Sequence, residues 1–218
     1  MKLSIGIVGL PNVGKSTLFK ILTSQEIHIA NYPFATIDPN VGVVPVPDER
    51  IEKLSTLSKS AKKVPAVVEF YDIAGLVKGA NKGEGLGNQF LTHIRDTQAI
   101  VLVLRIFQNP EIIHVEGAPD PLRDLEILHT ELALKDLDTV TKRLDKAEGE
   151  ARTGDKKAIK NVEVLKAVKT ALEAGKLAAP WRDEEIVKEI TLLTAKRELF
   201  LLNGKEEEVP EALRAKIK

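Results

Sequence analysis

The chain has 218 residues, 43% of them hydrophobic and 29% charged, with 32 basic residues against 32 acidic ones and no cysteine. That length holds one full domain with a buried core and at most a small second one, and the lack of cysteine excludes disulfides, thiolate metal sites and cysteine nucleophiles. The zero formal charge gives no overall pull on DNA, and no apolar run approaches the ~20 residues of a membrane span, so the expectation is a cytoplasmic protein that binds neither DNA nor a membrane.

The first apolar segment, "KLSIGIV" (2–8), predicts a buried strand, and "KSTLFKILTS" (15–24) predicts a helix with Leu18, Ile21 and Leu22 on one face. Between them, "GLPNVGKST" (9–17) has the form G-x-x-x-x-G-K-[ST] in the strand-to-helix context that a phosphate-binding loop requires. Backbone N–H groups must wrap a chain of phosphates closely, so a Cβ is unwelcome at Gly9 and Gly14. The amides of Asn12, Val13 and Gly14 and the helix start then point at the anion. Lys15 reaches the β- and γ-phosphates as a point charge, and Ser16 supplies a hydroxyl to Mg²⁺. Thr17 either helps the helix start or bonds the α-phosphate.

Farther along, "NYPFATIDPNVG" (31–42) is rich in turn formers and reads as an exposed loop able to close over a nucleotide, with Thr36 as the second hydroxyl for Mg²⁺. The apolar stretch beginning "VPAVVEFYD" (64–72) predicts a strand parallel to the first, ending in Asp72-Ile73-Ala74-Gly75. In this D-x-x-G, Asp72 holds a Mg²⁺-bound water and Gly75 offers its N–H to the γ-phosphate. The glycine-rich residues 76–90 that follow are of the kind that order around a γ-phosphate. Leu76 stands where Ras-type enzymes have the glutamine that orients the attacking water, so intrinsic hydrolysis should be slow.

"AIVLVLRIF" (99–107) predicts a further strand, and His114 follows it. From Asp120 to about Ala179 the pattern is helical, with Leu125, Leu128, Leu132, Leu137, Val140 and Leu144 on one stripe and Val162, Leu165, Val168 and Leu172 on a returning one, separated by Gly154-Asp155. This predicts an antiparallel helical hairpin over 120–180, inserted between a first domain part at 1–119 and its continuation at 181–218. Lysines and arginines on the hairpin alternate with acids, the pattern of a solvated face. "WRDEEIVKEITLLTAK" (181–196) reads as a helix leading back, and "ELFLLN" (198–203) as a strand running into Asn203-Gly204-Lys205-Glu206. Guanine readers carry N-K-x-D here. With Gly204 in place of the lysine and Glu206 in place of the aspartate, the two hydrogen bonds to guanine, worth ~1.5–3 kcal/mol each, are in doubt, and adenine becomes competitive.

Taken together, "GLPNVGKST", "NYPFATIDPN", "DIAGLVKGANKGEGLGNQFL" and "DLEILHTELALKDLDTVTKRL" resemble the YchF or Obg-like ATPase subfamily of the translation-factor class of P-loop GTPases. The resemblance implies an α/β, Ras-like P-loop G domain, a mostly parallel sheet flanked by helices, interrupted by a helical coiled-coil insertion. It implies ATP as ligand, with GTP the alternative, N-x-x-E as the base motif, and contact with the ribosome or ribosomal RNA. Asn12 resembles the position that coordinates K⁺ in cation-activated G proteins, and the resemblance puts His114 where it could swing toward the γ-phosphate. It also implies a following TGS domain, which is not found in this sequence, so the chain is expected to be a fragment or a shortened form. A slow ATPase or GTPase switch is the leading reading. The others are a nucleotide-binding scaffold that does not hydrolyse and an RNA- or ribosome-binding module; a P-loop small-molecule kinase is disfavoured, since no Arg-rich lid follows.

Overall fold

The computed structural model describes residues 3–23, 41–73 and 94–217. Five strands, β1 (Leu3–Val8), β2 (Val41–Pro45), β3 (Val67–Asp72), β4 (Ala99–Arg105) and β5 (Arg197–Asn203), form one sheet in the order β2-β3-β1-β4-β5. β1 pairs in parallel with β3 and β4, β4 in parallel with β5, and β2 alone runs antiparallel, against β3. Parallel strands at the centre are covered on both faces, so they read as continuous apolar runs. Residues 4–8 of β1 and 100–105 of β4 are all buried, whereas β5 at the sheet margin exposes Arg197 and Leu199.

Helix α1 (Lys15–Thr23) packs on β1, β2 and β3, and α2 (Glu49–Ser58) follows β2. Motif reading does not single out β2 or α2: the strand is only "VGVVP", and the helix signal is the single cap Asp48, which accepts from Arg50 N–H.

The predicted hairpin consists of α3 (Pro121–Ala151) and α4 (Lys156–Glu173), joined by residues 152–155. Asp120 and Asp155 cap the two helices, each accepting two backbone N–H groups. One seam, with Val140, Leu144 and Ala147 of α3 against Leu165, Val168 and Leu172 of α4, forms a core of its own. Leu125, Leu128 and Leu132, nearer the start of α3, belong instead to the sheet's core together with Ile7, Val8, Leu102 and Leu104.

The return differs from expectation. Instead of a helix over 181–196 the chain makes a single 3₁₀ turn at Ala179–Trp181, the short α5 (Glu185–Glu189) and another 3₁₀ turn at Leu193–Ala195. Thr191 takes a left-handed conformation, φ 48°, which breaks the helix, and the next amides are captured by a buried carboxylate. Asp136 of α3 accepts from Leu193 N at 2.9 Å and from Thr194 N and Thr194 Oγ1 at 2.7 Å each. A last helix, α6 (Glu211–Lys216), docks on α3. Among the described residues no helix is long and apolar enough to cross a membrane.

Candidate nucleotide site

Because four strands are parallel, Val8, Asp72, Arg105 and Asn203 end on the same edge of the sheet. The chain leaves central β1 and crosses first to one side and later to the other, so this edge beside β1 is the switch point where open α/β sheets bind ligands. The 9–17 loop sits there. α1 opens at Lys15, and its first helical bond, Leu18 N to Gly14 O at 2.9 Å, leaves the preceding amides for other acceptors. Ser16 and Thr17 are exposed in this first turn, and Val13 is buried beneath it.

Two unusual backbone positions shape the loop. Asn12 has φ 61° and donates through Nδ2 to Ile113 O at 3.0 Å. Gly14 has φ 103°, and a Cβ there would lie 2.4 Å from Asn203 Nδ2. That amide donates to Val13 O at 2.8 Å, tying the end of β5 to the 9–17 loop across 190 residues of sequence.

Lys15 is buried, and its Nζ donates to Leu10 O at 2.7 Å. Burial pulls its pKa down from 10.5 to about 8, opposed by the attraction of the Asp72 carboxylate. A bound polyphosphate pulls the other way, raising it. Above about pH 8, binding is therefore expected to draw in a proton. Affinity is expected to be flat below about pH 8 and to fall by up to about tenfold per pH unit above it. Calorimetry at pH 8.5–9 in buffers of different ionisation heat checks this; no proton uptake there contradicts it.

At the end of β5, Asn203 O accepts from Ile106 N at 3.0 Å and Phe107 N at 3.3 Å. Gly204 passes so close that a Cβ would lie 2.4 Å from Ile106 Cγ1 and 2.9 Å from Phe107 N. Beyond it opens a cavity of about 430 Å³ lined by Ile106, Gly204, Lys205, Glu206, Arg214 and Ile217 among others. Glu206 begins a 3₁₀ turn; Arg214 Nη2 donates to its carbonyl at 2.7 Å, and Arg214 Nη1 lies 3.8 Å from its carboxylate.

The segment between β4 and α3 closes the site's rim. Arg105 is buried, and its guanidinium donates to three carbonyls of this segment. His114 is buried too. Glu116 N–H donates to its Nδ1 at 3.2 Å, which puts the ring proton on Nε2, and Nε2 donates to Asp124 Oδ2 at 2.9 Å. Burial pushes the Asp124 carboxyl above the usual carboxylate range, against the charge of Arg123 and the hydrogen bonds from Arg123 and His114. In this conformation both ring nitrogens are engaged, so a movement of His114 toward a phosphate has to break both bonds.

The structure thus brings Asn12, Val13, Gly14, Lys15, Ser16, Thr17, Asp72, Asn203, Gly204 and Glu206 to one edge, and places His114 beside it under the start of α3. Thr36, Gly75 and Leu76 lie outside the described residues. Sequence reading missed Arg105 and Asp124. For Arg105 the signal is one charge closing an otherwise apolar run, "AIVLVLR"; Asp124 carries none beyond its place in a first helical turn.

A loop of P-loop form at the switch point of a mostly parallel sheet, with Asn203 at the end of β5 bonded to it, is the architecture of a P-loop GTPase domain. The family model described as the 50S ribosome-binding GTPase matches residues 4–143. The chain is 49% identical over 215 residues to the ribosome-binding ATPase YchF of Bacillus subtilis, covering 97% of this chain and 59% of that protein. It is 46% identical over 213 residues to Obg-like ATPase 1 of Gallus gallus, covering 94% and 54%. The solved structure of the Schizosaccharomyces pombe YchF GTPase matches with a TM-score of 0.75 at 42% identity, covering 100% of this chain and 60% of that one. The chain belongs to the 50S ribosome-binding GTPase family, in agreement with the resemblance carried by its motifs. It spans less than two thirds of the length of these relatives.

Proposed function

We propose that this chain is the nucleotide-binding part of a ribosome-associated switch, that it binds ATP with Mg²⁺ in preference to GTP, and that it hydrolyses ATP slowly. The observation that carries the nucleotide reading is the Asn203–Val13 hydrogen bond, which locks the base motif onto the phosphate loop. The adenine preference rests on Gly204: it is pressed against Ile106 and Phe107, so the lysine that packs along guanine has no room. The Glu206 carboxylate, one methylene longer than the usual aspartate, also faces Arg214.

The donors fit Mg²⁺. Ser16 offers an exposed hydroxyl and Asp72 a carboxylate at the same sheet edge, hard oxygen ligands both, and among the described residues no cluster of three His, Asp or Glu side chains suggests a softer or more fully protein-caged metal. Ser16, Thr36 and an Asp72-held water would bind the ion, which supplies charge neutralisation at the phosphates. Gly75 would donate to the γ-phosphate. His114, released from Asp124, and K⁺ at Asn12 are the candidates for the work that Leu76 cannot do.

The ribosome as partner rests on the names of the relatives. The hairpin's own charges are largely matched, as in Lys142–Asp138, Arg143–Glu150, Lys160–Glu184 and Lys166–Glu148, so its surface gives no strong independent support for RNA binding.

Calorimetry with non-hydrolysable ATP and GTP analogues, with and without Mg²⁺, tests the reading. Tighter, Mg²⁺-dependent binding of the ATP analogue is expected, and GTP tighter by about tenfold, or 1.4 kcal/mol, overturns the preference. Phosphate release, faster in K⁺ than in Na⁺, separates a slow hydrolase from a scaffold that only binds.

A further inference from the structure

We propose that Arg105 is a positioning residue of the nucleotide site: its guanidinium shapes residues 106–113 from inside, and through them sets both the wall of the base cavity and the seat of the phosphate loop. This rests on the nucleotide-binding reading above.

Arg105 ends β4 with only 1% of its surface exposed, one of the largest fully buried side chains in the described structure. Among the described residues it makes three hydrogen bonds, all to backbone carbonyls: Nε to Phe107 O at 3.2 Å, Nη1 to Ile112 O at 3.0 Å and Nη2 to Asn109 O at 3.2 Å. The guanidinium carbon lies 4.3 Å from the Phe107 ring centroid. Among the described residues no carboxylate pairs with it; burying a cation in that way is costly, and an apolar side chain would fill a core as well. What an apolar residue cannot do is gather three carbonyls from one segment around a planar fork of fixed geometry.

The two ends of the gathered segment meet the two halves of the site. At the first end, the N–H groups of Ile106 and Phe107 both donate to Asn203 O, and the same two residues limit the space at Gly204. At the second end, one residue beyond the Ile112 carbonyl, Ile113 O accepts from Asn12 of the phosphate loop. Removing the fork releases the middle of the segment and with it both contacts. A nucleotide site is sensitive to such loosening because displacements near 1 Å are enough to spoil the fit.

The test uses the full 218-residue chain and three variants, Arg105→Ala, Arg105→Lys and Arg105→Met. Expected is an ATP dissociation constant raised about tenfold or more in each, with KM raised alike and kcat changed little, while cooperative unfolding persists. Lysine does not rescue, because its ammonium cannot span the three carbonyls. About 20 mM methylguanidinium, too dilute to denature, is expected to restore ATP affinity to Arg105→Ala and to leave the parent chain unchanged. Equal ATP affinity in a folded variant overturns the inference, as does a folded Arg105→Ala whose loss methylguanidinium does not repair. If Arg105→Ala fails to fold, Arg105→Lys decides: folded and binding ATP like the parent, it overturns the inference. A parent chain that binds neither ATP nor GTP overturns the nucleotide reading itself, which the variants then cannot be said to modify.

Discussion

Replacing Lys15 with alanine is expected to weaken ATP binding by about a hundredfold or more, from the loss of charge-assisted contacts worth ~1.5–3 kcal/mol each to two phosphates. The fold should survive, because burial already disfavours the charged ammonium that the substitution removes. The backbone cost is one acceptor, Leu10 O, which loses its Nζ donor. Calorimetry for the nucleotide and thermal unfolding for the fold, measured on the same preparation, separate the two effects. Binding unchanged by Lys15→Ala would remove the basis for any nucleotide function.

The second large effect concerns stability rather than ligand. Asp136 is fully buried in α3 and satisfies two backbone N–H groups and the Thr194 hydroxyl, and that hydroxyl accepts in turn from Ala178 N at 3.1 Å. Asp136→Ala strands these donors in a dry interior, at a cost of ~3–5 kcal/mol, against a total stability of ~5–15 kcal/mol for a domain. A fall in Tm of about 10 °C is expected for a chain of this size. Thr194→Val removes one donor along with its bond to Asp136 and leaves Ala178 N–H without its acceptor, and should cost roughly 1–3 kcal/mol. A fall in Tm of under about 3 °C for Asp136→Ala would show that the turn at Leu193–Ala195 finds other partners.

The features legible in sequence are those in which chemistry fixes spacing. A phosphate chain needs amides, a lysine and a hydroxyl at set intervals along one turn, so residues 9–17 declare themselves. So do the two leucine-rich stripes, since a helix repeats locally. Asp136 and Arg105 are illegible for the opposite reason. Their partners are mostly backbone atoms, which every residue has, and for Asp136 these lie 57 and 58 positions away. The same long-range capture explains why 181–196, periodic enough to suggest one helix, is broken into short turns: tertiary bonds to Leu193 and Thr194 outweigh a helical propensity worth only tenths of a kcal/mol per residue. β2 escapes notice because five residues carry too little pattern, and its place in the sheet comes from pairing with β3. His114 could be picked out as a histidine near the site, but not its enclosure between Glu116 N–H and Asp124.

The 31 residues of α3 form one unbroken rod about 46 Å long at 1.5 Å per residue. Its base is wedged under the sheet by Leu125, Leu128 and Leu132, one residue past the Asp124 contact with His114, while its far half is stiffened by α4. A tilt of about 5° at the base would carry the tip through about 4 Å, with the Asp124–His114 contact beside the pivot.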